Sequence, residues 1–308
     1  MVESFLIVGT QVLILCILIG LGFFGAKIKL ITEDGVKSIN NIMLYFVTPC
    51  VIVNAFQTPF DSRMLINLLL AMLASLISHL LGYLLGFFFI RDKDISRRRV
   101  LRFAAVFSNC GFMALPLVEA LLGSEGVFYA SGYLAVFNLM VWSTGQYLMA
   151  KGQANFSMKK SFLNPGVISV LIGLILFFTS CELPEIIGSP IAFLAGLNTP
   201  VPMLIIGYTI STIKLSELFE IKKEIITLLV RLVITPGILL VILYLAGYRG
   251  NLLTSVICSA STPVAAITTM FAIKYNQDEK LGSKLVAVST LFSLITMTLI
   301  VGISYGIV

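Results

Sequence analysis

Charge is scarce in this sequence. Asp, Glu, Lys and Arg make up 12% of the 308 residues, while 58% are hydrophobic and mean hydropathy is +1.02. A soluble domain carries about a quarter charged residues, so this chain cannot cover a water-facing surface. Strict apolar/polar alternation is also missing, which excludes a membrane β-barrel. The five cysteines (Cys16, Cys50, Cys110, Cys181, Cys258) include no C-x-x-C. They build neither a disulfide framework nor a zinc site and read as small packing residues. One histidine, no H-E-x-x-H, no intramembrane aspartate pair and no nucleophile elbow argue against an enzyme. Glu119 falls at a predicted span end rather than facing a second carboxylate. There is no P-loop for ATP, and no cofactor or metal is expected.

Long apolar runs are what the chain has. Leu65 to Ile90 holds a single Asp, Glu, Lys, Arg or His, namely His79. A run of about 20 such residues spans a bilayer as a helix. Ten spans are predicted: Phe5–Ala26, Ile39–Phe56, Leu65–Ile90, Arg102–Leu122, Gly126–Ala150, Pro165–Phe178, Pro190–Ile213, Ile225–Ala246, Leu252–Ile273 and Leu285–Ile307. The first lacks a basic leader and is too long for a signal core, so it is read as a membrane helix.

The basic residues fix an orientation. Of 21 Lys and Arg, 18 fall in the loops after odd-numbered spans, counting Arg102 at the very start of the fourth span, two after even-numbered spans, and Arg231 lies within the eighth. The positive-inside rule then places odd loops in the cytoplasm and both termini outside a cytoplasmic (inner) membrane. The net charge of +6 is explained by these loops, and nucleic acid is not an expected partner. Arg97, Arg98, Arg99 and Arg102 read as a topology signal, with anionic lipid as the alternative.

The halves match at an offset of 153 residues: Pro49 with Pro202, Asn54 with Gly207, Ser108 with Ser261, Glu125 with Asp278. Residues 1–150 are read as one five-helix repeat, 151–164 as a cytoplasmic linker and 165–308 as a second repeat. Five is odd, so the second half must be inserted upside down, an arrangement of secondary transporters whose sites lie where broken helices meet. The breaks are expected at Ser108, Asn109, Gly111 and Pro116, and at Ser261, Thr262 and Pro263, with Pro49, Asn54 and Pro202 of the second span in each half also read as pathway residues. Proline removes an N–H, glycine admits unusual backbone angles, and the hydroxyls and amide can satisfy freed groups or a ligand. Half-helix N-termini carry partial positive charge and free N–H donors, which suit an anion. Plain proline kinks are the alternative, and the better reading for Pro236. A channel is left open.

Two ionisable groups lie inside spans. Arg231 either snorkels toward the cytoplasmic edge or attracts the anion. His79 is either a neutral packing residue or a proton carrier.

The stretches NIMLYFVTPCVIVNAF, SNCGFMALPLVEALLGSEGVFYA, NPGVISVLIGLILFF, NTPVPMLIIGYTIS and STPVAAITTMFAIKYNQDEKLGSKLVAVSTLFSLIT resemble the auxin efflux carrier family. That family includes bacterial malonate and malate permeases and plant PIN-FORMED carriers. The resemblance implies an all-α, ten-helix fold related to sodium/proton antiporters and bile-acid symporters, with spans 4 and 9 broken and crossing. It implies a permease or efflux carrier for a small organic anion, and dimers occur in the plant branch. The short central loop, Lys151 to Asn164, points to a small bacterial carboxylate rather than auxin. Coupling to H+ or Na+, or transport of another solute on the same fold, stays open.

Overall fold

The computed structural model describes residues 2–150, 165–212 and 224–307. Every regular element among them is helical. These are α1 (Val2–Lys27), α2 (Glu33–Ala55), α3 (Ser62–Phe89), α4 (Ile95–Val106), α5 (Cys110–Met149) and α6 (Pro165–Thr179). They are followed by α7 (Glu185–Ser211), α8 (Ile225–Leu245), α9 (Gly250–Ser261), α10 (Ile267–Lys274) and α11 (Glu279–Gly306). Seven are long and apolar enough to cross a membrane, and α6 is a shorter apolar helix. The expected linker, residues 151–164, lies outside the described residues.

Helix α5 runs for 40 residues. At about 1.5 Å per residue it would be about 60 Å long, twice a bilayer's hydrocarbon thickness. It is not continuous: Gly123 sits at φ 64°, ψ −155°, a conformation only glycine adopts cheaply, and divides it into two helices across a kink.

Helix starts are set by caps more than by hydropathy. Asp61 accepts from the N–H groups of Arg63 and Met64, Asp94 from Ser96 and Arg97, and Asp278 from Leu281. Thr32 likewise caps Gly35. Each satisfies donors that a helix start leaves unpaired. Hence α2 and α4 begin at Glu33 and Ile95, six and seven residues ahead of the apolar runs predicted at Ile39 and Arg102.

Pro49, Pro116 and Pro236 follow wide turns rather than clean breaks. π-helical turns at Met43–Val47, Cys110–Ala114 and Val230–Ile234 each lead directly into a segment whose second residue is proline: Pro49, Pro116 and Pro236. A proline cannot donate to the carbonyl four residues back, and a wider turn relieves both the missing bond and the ring clash. In α7 a tighter 3₁₀ turn, Gly196–Asn198, interrupts the helix ahead of Pro200 instead.

The helices pack as two groups. In one, α1 lies along the second part of α7, and α2 packs on α6 and the first part of α7. In the other, α3 packs on α4, α5 and α8, while α9 packs on α5, α8 and α11, and α10 on α11. The groups meet where α1 contacts α11 and where α6 contacts α5. The cysteines are free; Cys110 and Cys258 are buried and Cys181 is exposed.

Candidate functional site

Helix α4 ends at Val106 and α9 ends at Ser261, and both chains continue extended, with Phe107 at φ −96°, ψ 117° and Thr262 at φ −64°, ψ 156°. The two breaks meet as an antiparallel bridge between Ser108 and Val264. The Asn109 N–H donates to the Pro263 carbonyl at 2.8 Å, and the Ala265 N–H to the Phe107 carbonyl at 3.0 Å. The Val264 N–H donates to Ser289 Oγ of α11 at 3.0 Å. Backbone freed by the breaks is thereby satisfied within protein, as an apolar surround requires. Beyond the bridge the chain re-enters helix at Cys110 and at Ile267.

A cavity of about 110 Å³ opens beside this bridge. Ser108, Asn109, Gly111 and Phe112 line it from one break, and Ala265, Ala266 and Ile267 from the other. Thr48 of α2 and Asn138 of α5 add polar groups, while Leu44, Leu134, Phe137, Trp142 and Met270 make an apolar wall. None of its lining residues is charged. The first N–H groups of a helix have no intrahelical partner and point along the axis toward whatever precedes it. The lining therefore combines the first turns of two helices with an uncharged, largely apolar wall. A smaller cavity of about 30 Å³ shares Asn109, Phe112 and Ala266 and reaches Asn40, Pro202, Thr209 and Thr290. No lining residue of either cavity comes from 115–122 or 250–261. Both cavities lie on the side of the bridge toward Trp142, Met270 and Thr209.

The expected site residues divide accordingly. Ser108, Asn109 and Gly111 line the larger cavity, and Pro202 the smaller. Pro263 supplies the carbonyl that Asn109 binds. Thr262 is buried, and its hydroxyl is spent on the Ser259 carbonyl at 3.0 Å. Ser261 is buried, and neither its hydroxyl nor that of Ser108 has a partner among the described residues. Pro116 sits in the first turn after the π-helical stretch, away from both linings. Pro49 neighbours the lining residue Thr48, and Asn54 is exposed near the end of α2.

His79 is buried beneath the bridge. Its Nδ1 is 2.7 Å from the Ser75 carbonyl, and its ring packs 5.6 Å from Phe107 and 6.0 Å from Phe137. A carbonyl only accepts, so Nδ1 carries the proton and Nε2 is left without a partner. Arg231 is also fully buried, and it does not snorkel: its guanidinium donates to the carbonyls of Val106, at 3.0 Å, and Ala260. Sequence reading missed Trp142, Asn138 and Ser289. The chain's single tryptophan was the one available signal; a serine or asparagine within an apolar helix gives none.

The chain matches the family described as "Membrane transport protein" over residues 7–157 and 152–301. It belongs to that family, the auxin efflux carrier type of membrane transport proteins. It is 25% identical to an uncharacterized transporter of Methanothermobacter thermautotrophicus, over 94% of this chain and 95% of the relative. It is 26% identical to an uncharacterized transporter of Methanocaldococcus jannaschii, over 94% and 96%. The chain is thus a multi-pass membrane protein of a transport family.

Proposed function

We propose that this protein is a secondary transporter that moves a small organic anion, a carboxylate, across the cytoplasmic membrane by alternating access. The observation that carries the reading is the pairing of the two breaks at Ser108 and Val264, with the first turns of α5 and α10 lining one uncharged cavity. Two helix N-termini supply N–H donors and partial positive charge to an anion without a buried lysine or arginine that would hold it too tightly to release. Phe112, Phe137 and Trp142 offer an apolar wall for the rest of the solute. With a single anion-binding pole, the cavity favours one carboxylate on an apolar body over a dicarboxylate.

The reading takes the chain as ten spans in two inverted repeats, residues 1–150 and 165–308. It divides α5 at Gly123 and counts α4 with the first part of α5, and α9 with α10, as one broken span each. The 18-to-2 distribution of Lys and Arg puts both termini outside and both cavities on the cytoplasmic side. On this reading α1, α2, α6 and α7 form the scaffold and the remaining helices move against it.

Purified protein in proteoliposomes, offered labelled malonate, malate, benzoate and phenylacetate under imposed H+ or Na+ gradients, tests it. Concentrative uptake of a carboxylate, strongest for the aromatic monoacids, is expected. Flux that never exceeds equilibration would mean a channel. Uptake confined to uncharged or cationic solutes would overturn the anion assignment.

A further inference from the structure

Helix α8 delivers Arg231 to the crossover, yet Arg231 lines neither cavity. It is 0% exposed, and no carboxylate pairs with it among the described residues. Its two bonds go instead to Val106, the last residue of α4, and to Ala260, one residue before the end of α9. These are the terminal carbonyls of the two half-helices that run into the crossover. Each helix end carries about half a negative elementary charge, so two ends meeting in an apolar interior amount to about one. They repel, and neither reaches water. One guanidinium supplies the opposite unit charge, and its planar fork can bond two separate carbonyls at once.

We propose that Arg231 is the positioning residue of the crossover. It holds the C-terminal ends of α4 and α9 together, so that the first turns of α5 and α10 stay aimed at the cavity, and it does not itself bind the transported anion. The second half of that statement rests on the transport reading above; the first does not.

The test uses the two buried cysteines that flank the crossover, Cys110 and Cys258, which are 1% and 0% exposed. With Cys16, Cys50 and Cys181 replaced by serine, N-ethylmaleimide labelling of purified protein is followed by mass spectrometry. Arg231→Met is expected to speed Cys110 labelling about tenfold or more by loosening the crossover, with Arg231→Lys in between. Phe177→Ala, in α6, is the control: it lowers the unfolding temperature but leaves Cys110 protected. If Arg231→Met does not reach the membrane, Arg231→Lys decides alone. Wild-type labelling rates in the recovered arginine variants would overturn the proposal. A second arm measures transport by Arg231→Lys. A fall in kcat with KM within about twofold of wild type fits positioning, whereas a large rise in KM with unchanged labelling makes Arg231 an anion ligand and overturns it. Should wild type carry no carboxylate at all, the transport reading fails while the labelling arm still decides the positioning role.

Discussion

Glu125 accepts a hydrogen bond from Asn251 Nδ2 at 2.7 Å, tying α5 just past its break to the start of α9. Asp278, 153 residues further on, accepts one from Arg97 at 3.2 Å and so ties the start of α11 to the start of α4. The same device secures the far end of each broken helix, and under the ten-span reading the two lie at opposite membrane faces. The Arg97 side is the richer: its guanidinium also meets Glu224 at 3.0 Å and Asp92 at 3.4 Å. Asp278 additionally caps α11 through Leu281. Asp278→Ala should therefore destabilise more than Glu125→Ala, with the lost cap alone worth about 1 kcal/mol. Glu125→Ala also loses the bond that Tyr129 donates to Glu125 at 2.8 Å. Thermal unfolding in detergent thus measures the Arg97 pair and cap against two neutral-donor bonds, and equal shifts would mean that the Asp278 contacts are worth no more than those.

Asn109 and Thr262 lie in matched breaks but do different work. Asn109 borders both cavities, whereas the Thr262 hydroxyl is turned back to Ser259. Asn109→Ala should weaken substrate affinity about tenfold, the equivalent of about 1.4 kcal/mol and within the range of one lost hydrogen bond. Thr262→Val should cost less in affinity and show itself mainly as lower stability. Concentration-dependent uptake into proteoliposomes, normalised to folded protein, separates the two. Equal losses of affinity would place Thr262 in the binding site as well.

The positions of the breaks were legible because they demand unusual residues. Ser108–Asn109 and Ser261–Pro263 put small polar side chains where hydrocarbon would otherwise prevail, and the bridge forms at that point. Pro116 does not mark the break, and the reason is physical: the chain leaves the helix at Phe107 and re-enters it at Cys110, and the π-helical turn Cys110–Ala114 then accommodates the proline's missing N–H inside the helix. Helix starts were read late because Thr32 and Asp94 extend α2 and α4 into polar sequence that hydropathy does not count. The partners of Arg231 could not be read at all. They are main-chain carbonyls 125 and 29 residues away, and a carbonyl leaves no mark on the identity of its residue. The exposure of Asn54 was equally hidden, since repeat matching pairs positions without saying which face they occupy.

Topology has a built-in probe. Cys181 is exposed in the turn between α6 and α7, next to Glu182, on the side that the basic-residue distribution assigns to the exterior. In a variant with the other four cysteines replaced, a membrane-impermeant maleimide should label Cys181 in intact cells, and a cysteine placed at Val308 should react likewise. A cysteine at Lys159 should react only after permeabilisation. Both of those added positions lie outside the described residues. The reverse pattern would invert the assignment and put the cavities on the outer side.

Helices α1 and α7 touch backbone to backbone at Gly22 and Gly207. A Cβ on Gly22 would stand 2.6 Å from the Leu204 Cα and closer still to its carbonyl oxygen; one on Gly207 would stand 2.6 Å from the Phe23 nitrogen and collide with the Ile19 carbonyl. Neither obstacle is a side chain that can swing aside, so the helices must separate. Overpacking of this kind costs about 1–3 kcal/mol. Without a hydrophobic driving force between helices in lipid, close packing of small residues carries much of their association. Gly22→Ala and Gly207→Ala should each lower the unfolding temperature. The two clashes lie at one crossing and are relieved by one and the same separation, so the double variant should lose less than the sum of the single losses. Thermal unfolding of the four proteins in the same detergent closes the cycle. Additive losses would show that the two glycines are accommodated independently and that α1 and α7 do not move apart as rigid rods.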